Sequence, residues 1–150
     1  PVNSPFWLQP GDILVQRGNT LDYVGTSALY DGAPREFTYP DLMMRVRASA
    51  KITTEYLLFA LSRPKARAFL RERATGTAGN MPKINQQALM EVPIPLPPLP
   101  EQREIVRRLS AAFAKLDAAA AAHAAAVSAI DRLDQSLLAR AFSGGLSSQP

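Results

Sequence analysis

Residues 101–143 contain neither proline nor glycine, and no other feature of the chain restricts its fold so strongly. Pro100 suits the first helical position, where a missing N–H costs nothing. Glu101 and Glu104 sit at the positive end of the helix dipole, and Gly144-Gly145 supplies a stop. The pattern predicts one helix from Glu101 to Phe142, about 42 residues or roughly 63 Å long. A lone helix of that length cannot bury an apolar stripe within a small domain, so it calls for a partner. Leu109, Leu116, His123, Ile130 and Leu137 recur at seven-residue spacing. Phe113, Ala120, Val127, Asp134 and Ala141 form a second such row. Sustained heptads argue for a coiled coil, with an unpaired helix as the alternative. Ala118–Ala126 is all alanine except His123, which lets backbones approach closely but buries little area. His123 reads as a polar residue that sets the register of the seam; a pH-sensitive or metal-linked contact is the other reading.

Five of the thirteen prolines fall between Pro93 and Pro100, directly before this helix. Proline at alternate positions forces an extended path. The segment reads as a stiff connector whose Val92, Ile94 and Leu96 anchor to a domain core. A ligand for SH3 or WW domains is the alternative.

The preceding 92 residues carry short sheet and helix signals. Pro10-Gly11 is turn chemistry before a strand at Ile13-Leu14-Val15, and Gly18-Asn19-Thr20 breaks it. Residues 21–40 hold short β-prone pieces such as Glu36–Tyr39. Residues 42–48 read as a strand with Arg45 and Arg47 on one face, about 7 Å apart, near the spacing of successive phosphates. Thr53 or Thr54 can cap a helix through Leu61, and Pro64 can begin a second helix to Arg73. Ala74–Lys83 reads as a loop, and residues 84–89 as a short helix.

Charge is unevenly placed. The chain carries +4 overall, but residues 41–83 hold nine basic and three acidic side chains, a local +6. Such clustering is the footprint of a surface for polyanions, or else a solvated helix face. Gly76 and Gly79 allow close backbone approach in the loop, and Arg73, Thr75, Thr77, Asn80 and Lys83 are donors suited to phosphates and base edges. Cysteine is absent and His123 is the single histidine, which removes disulfides, thiol catalysis and most histidine-based sites. No paired carboxylates stand at acid/base spacing, and Ser62-x-x-Lys65 lacks the partner motifs of a serine–lysine acylase. No cofactor and no metal site is expected. No apolar run approaches the ~20 residues of a membrane span, and a cytoplasmic location without membrane contact is expected.

The motifs occur in a recognisable order: Gly11-Asp12-Ile13-Leu14, Arg17-x-Asn19, Thr75-Gly76-Thr77-Ala78, and Pro82-Lys83-Ile84-Asn85. Val92-Pro93-Ile94-Pro95-Leu96-Pro97-Pro98-Leu99 and Glu101-Gln102 follow, and the long helix ends Leu137-Leu138-Ala139-Arg140-Ala141-Phe142-Ser143-Gly144. This combination resembles the DNA-specificity subunit of type I restriction–modification systems. The resemblance implies an α+β chain in which a mixed α/β target-recognition domain precedes a long coiled-coil helix. It implies recognition of one half of a split site in double-stranded DNA, with no chemistry of its own. The helix would act as ruler and platform for methyltransferase subunits, which the restriction subunit joins.

The complete subunits of that family carry two recognition domains and two helices, packed antiparallel. By that likeness this sequence is expected to hold one of each and to start inside the recognition region. It therefore resembles the C-terminal portion of a subunit or a half subunit. The expected division is residues 1–92 for recognition, 93–100 for the connector, 101–143 for the helix and 144–150 for a tail. Arg17, Asn19, Arg45, Arg47, Arg73, Thr75, Thr77, Asn80 and Lys83 are the expected DNA contacts. Leu109, Phe113, Leu116, Ala120, His123, Val127, Ile130 and Leu137 are expected to meet a second helix, from its own dimer or another part of the subunit. A purely structural dimerisation module that does not bind DNA is the alternative.

Overall fold

A computed structural model of the chain describes residues 4–76 and 81–143. The chain divides into two compact units, residues 1–106 and 107–150. The first is α+β and is built on a three-stranded antiparallel sheet. Strands β1 (Ile13–Gln16), β2 (Ser27–Leu29) and β3 (Met43–Val46) lie in the order β2-β1-β3. The Pro10-Gly11 turn feeds β1, and Gly11 takes a φ of 90°, where a side chain would be strained. Side chains alternate as the pleat demands: Ile13 and Val15 are fully buried, whereas Leu14 and Gln16 are half-buried on the other face. Of the β-prone pieces expected in residues 21–40, Ser27–Leu29 becomes β2. Residues 36–39 contribute only a bridge between Thr38 and Trp7.

Two helices close the buried face of the sheet. Thr53 caps α1 (Thr54–Ser62), its side chain accepting from the Tyr56 N–H at 3.3 Å. Pro64 is the first residue of α2 (Pro64–Glu72), so the chain turns between the helices where a proline N–H is not missed. Leu57, Leu61, Ala66 and Leu70 from these helices meet Ile13, Val15, Val24 and Met44 in one core. Asn85 caps the short α3 (Gln86–Met90), and Ile84, Ala88 and Val92 complete the core from that side.

The proline segment is extended and outside any sheet, as its sequence demands. It has few N–H groups to offer a ladder, but its carbonyls still need donors. Three alternate carbonyls receive side-chain donors. Arg63 Nη2 donates to Pro93 O at 3.0 Å, the Tyr56 hydroxyl to Pro95 O at 3.0 Å and Gln102 Nε2 to Pro97 O at 2.8 Å. Val92 is buried and Ile94 packs on the core, as expected of anchors. Leu96 is not an anchor: it is 55% exposed, and beyond Ile94 the segment is held by the Tyr56 and Gln102 side chains on its carbonyls.

The long helix is α4 (Leu99–Phe142), starting two residues earlier than expected. Pro100 is thus its second residue, still within the first turn whose N–H groups have no helical acceptor. Gln102 is fully buried. Its side chain accepts from the Thr53 N–H at 2.9 Å and donates to Lys51 O at 2.9 Å. In the second unit the helix carries its apolar row on the outside. Leu116, Val127, Ile130 and Leu137 are each between 45% and 62% exposed. Leu133 and Leu138, outside the two expected rows, widen this surface. By length and composition alone, α4 passes across one 18-residue window for a helix that could cross a membrane. Alanine causes this, since it counts as apolar while presenting very little surface.

Candidate nucleic-acid interface

Past the end of β1 the backbone keeps pairing, but with a distant segment. The Ile84 N–H donates to Arg17 O at 2.9 Å and the Asn19 N–H to Pro82 O at 3.2 Å. Thr75 and Lys83 exchange two backbone hydrogen bonds, each 2.9 Å, which closes the loop between them. The junction is tight at Gly18. A Cβ there would stand 3.0 Å from Lys83 Cγ and 3.3 Å from Leu42 Cδ2. The structure thus gathers Arg17, Asn19, Thr75 and Lys83, which are far apart in sequence. Arg17 is exposed, and its guanidinium makes one long contact, 3.4 Å to Asp41 O. Asn19 is half-buried and uses its Oδ1 to accept from the Thr20 N–H at 2.7 Å. Thr77 and Asn80 lie outside the described residues.

Arg45 and Arg47 share a face, as strand alternation requires, but they do not stand apart like a pair of phosphate clamps. They converge on Asp12, whose side chain is only 2% exposed. The β1–β3 register pairs Ile13 with Val46 and Leu14 with Arg45, so one step further Asp12 faces Arg47. Arg47 Nε lies 2.5 Å from Asp12 Oδ1 and its Nη2 3.3 Å from Oδ2. Arg45 Nη1 donates to Pro5 O and Trp7 O at 3.1 Å each and lies 3.9 Å from the same carboxylate. Burial by itself raises the Asp12 carboxyl pKa. The Arg47 hydrogen bond, the Gln9 N–H and the charges of Arg47 and Arg45 outweigh burial and hold it below its ordinary value. Arg47 stays 55% exposed on its outer side.

Other basic residues of the +6 segment are also spent on structure. Arg67 donates to Asp22 O at 2.6 Å, and burial, helped by the nearby Arg71 charge, lowers its pKa. Arg73 stacks over the Phe69 ring at 3.5 Å and lies 3.9 Å from Glu91. Lys51, Lys65, Arg71 and Lys83 make no ion pair among the described residues. The outward positive charge is smaller than the sequence suggests.

The sequence reading missed a hollow of about 600 Å³ on the outer side of β3, walled by Phe6, Tyr39, Met43 and Arg45 and by Asn85, Gln86 and Gln87. Arg17 and Asp41 stand at it as well. A second hollow of about 410 Å³ shares Met44, Arg45 and Gln86 and continues to Leu89 and Met90. Phe6 and Tyr39 meet edge to face at 5.6 Å, and the Arg45 guanidinium lies 5.5 Å from the Tyr39 ring centre. Asn85 is the cap of α3, and Gln87 donates to Glu91 at 2.9 Å. Gln86 is exposed and its carboxamide has no partner among the described residues. Three successive carboxamides, Asn85-Gln86-Gln87, were the available signal for this site.

Comparison with known proteins adds the family context. Residues 5–123 match the type I restriction modification DNA specificity domain. The chain is 38% identical over 130 residues to the type I restriction enzyme EcoDI specificity subunit of Escherichia coli, covering 83% of this chain and 26% of that protein. It is 34% identical over 144 residues to the EcoKI specificity subunit of Escherichia coli strain K12, covering 95% and 31%. It is 35% identical over 148 residues to the StySPI specificity subunit of Salmonella potsdam, covering 97% and 32%. The chain thus spans between a quarter and a third of the length of these relatives.

Proposed function

The chain belongs to the type I restriction modification DNA specificity family, and we propose that it recognises a specific sequence in double-stranded DNA as one recognition region of such a subunit. What carries this reading is the junction at Gly18, where Arg17, Asn19, Thr75 and Lys83 come together from three segments. Their guanidinium, amide, hydroxyl and ammonium groups are the donor types that hold phosphates and read base edges. Thr77 and Asn80 belong to the same proposed set by sequence. Arg47 retains an exposed side for a phosphate, whereas Arg45 serves the fold. Arg73 would act from the rim.

Residues 1–92 would do the reading, the 93–100 segment would be a stiff connector, and the helix would serve as spacer. Its row from Leu109 through Phe113, Leu116, Ala120, His123, Val127, Ile130 and Leu137 would meet a second helix. That surface would also help dock methyltransferase subunits, and through the assembly the restriction subunit. The chain itself would carry out no chemical step and would work in the cytoplasm, where its DNA lies. The exposed apolar row favours a second reading as well, an association module without DNA binding.

Fluorescence anisotropy with a labelled duplex across a salt series separates the two readings. Recognition predicts binding whose logarithm falls linearly with the logarithm of salt concentration. Absence of binding to any duplex at low salt, in a chain that still associates, overturns it.

A further inference from the structure

We propose that the hollow between β3 and α3 reads an A·T base pair, with Gln86 as the residue that selects adenine. This rests on the DNA-recognition reading and places base selection away from the Gly18 junction. Gln86 lines both adjoining hollows, so it stands where the trough is continuous. It is the central member of the carboxamide run and the one that is uncommitted, since Asn85 caps α3 and Gln87 holds Glu91. A glutamine carboxamide matches the N7 acceptor and N6 donor of adenine in the major groove. The lining is mixed, with Arg17, Asp41 and Arg45 beside an apolar part in which Phe6, 52% exposed, meets Tyr39 edge to face. That aromatic part suits the thymine methyl of the same base pair. Arg45 sits over Tyr39 and is held by the Pro5 and Trp7 carbonyls, so it braces the wall and is a positioning residue. Arg17 lines the same hollow with a largely unused guanidinium and supplies the phosphate contact that sets the strand in place.

The test selects a randomised duplex library with the 150-residue chain and with Gln86→Ala and Arg17→Ala, and sequences the bound fraction. Gln86 is exposed and unpartnered, so Gln86→Ala keeps the fold, which an unchanged thermal melt verifies. The wild-type chain is expected to enrich a motif containing an A·T pair. Gln86→Ala flattens the preference at that pair by about tenfold and leaves the other positions and the salt slope alone. Arg17→Ala weakens binding to all sequences and lowers the salt slope by about one. A Gln86→Ala motif identical to wild type overturns this inference while leaving DNA recognition standing. A wild-type chain that enriches no motif overturns both.

Discussion

Asp12 shows how one residue can decide what a charge pattern means. Arg45 in β3 and Arg47 just past its end share a face as a phosphate-binding pair would, but a carboxylate beside the neighbouring strand claims both. The register that places Asp12 opposite Arg47 arises from long-range pairing, which no local pattern in residues 42–48 contains. The Asp12 carboxyl is held below its ordinary pKa, so the folded state favours its ionised form. Its contribution is therefore full above the unfolded carboxyl value of about 3.9 and disappears as pH falls through the lower folded value. Asp12→Ala is expected to destabilise the chain by about 1–3 kcal/mol at neutral pH. Denaturant titrations of both proteins should converge as the solution is acidified below pH ~4; a constant gap would contradict this. Gln102 is the second such residue. It serves three backbone groups from within the first turn of α4. Gln102→Ala strands the Thr53 N–H and two carbonyls, and a loss of about 1–3 kcal/mol is expected in urea unfolding. A loss within 0.5 kcal/mol of zero, the usual range for neutral surface changes, would remove it as the pin of the helix.

At the scale of elements, the sequence was most legible where the backbone signal is local. The Pro10-Gly11 turn before β1, the Thr53 cap of α1, Pro64 opening α2 and the uninterrupted α4 all follow from neighbouring residues. β2 is three residues long and owes its existence to β1 beside it, so its own sequence marks it weakly. The carbonyls of Pro93, Pro95 and Pro97 are satisfied by Arg63, Tyr56 and Gln102, partners that only the fold brings near. The same is true of the candidate site. The Gly18 junction joins residues whose types had been noticed, whereas the Phe6–Tyr39 wall and Gln86 needed the tertiary structure to become neighbours. Gly18→Val should strain the junction, because its Cβ alone would stand 3.0–3.3 Å from the Lys83, Leu42 and Met81 side chains and its two methyl groups crowd them further. The expected result is a lower melting temperature and weaker duplex binding together; unchanged binding would separate the junction from function. For α4, the exposed row predicts association. Leu116→Glu with Ile130→Glu should convert an associated species to a monomer in sedimentation equilibrium, without altering the melt of the first unit. Identical sedimentation of variant and parent would exclude this row as the seam.

At the scale of the molecule, the +6 segment and the long helix divide the work. Part of the positive charge holds the fold together through Arg45, Arg63, Arg67 and Arg73, so it cannot all be counted toward DNA. Sequence selection, more than bulk attraction, is therefore expected to set what the first unit does. The most direct measurement is the ratio of affinities for the duplex selected from a random library and for a scrambled duplex of equal length and composition. At physiological salt the account predicts a ratio on the order of 10³ or more, the range of specific recognition. Equal affinities for the two duplexes would contradict it, and would leave the chain a nonspecific polyanion binder joined to an associating helix.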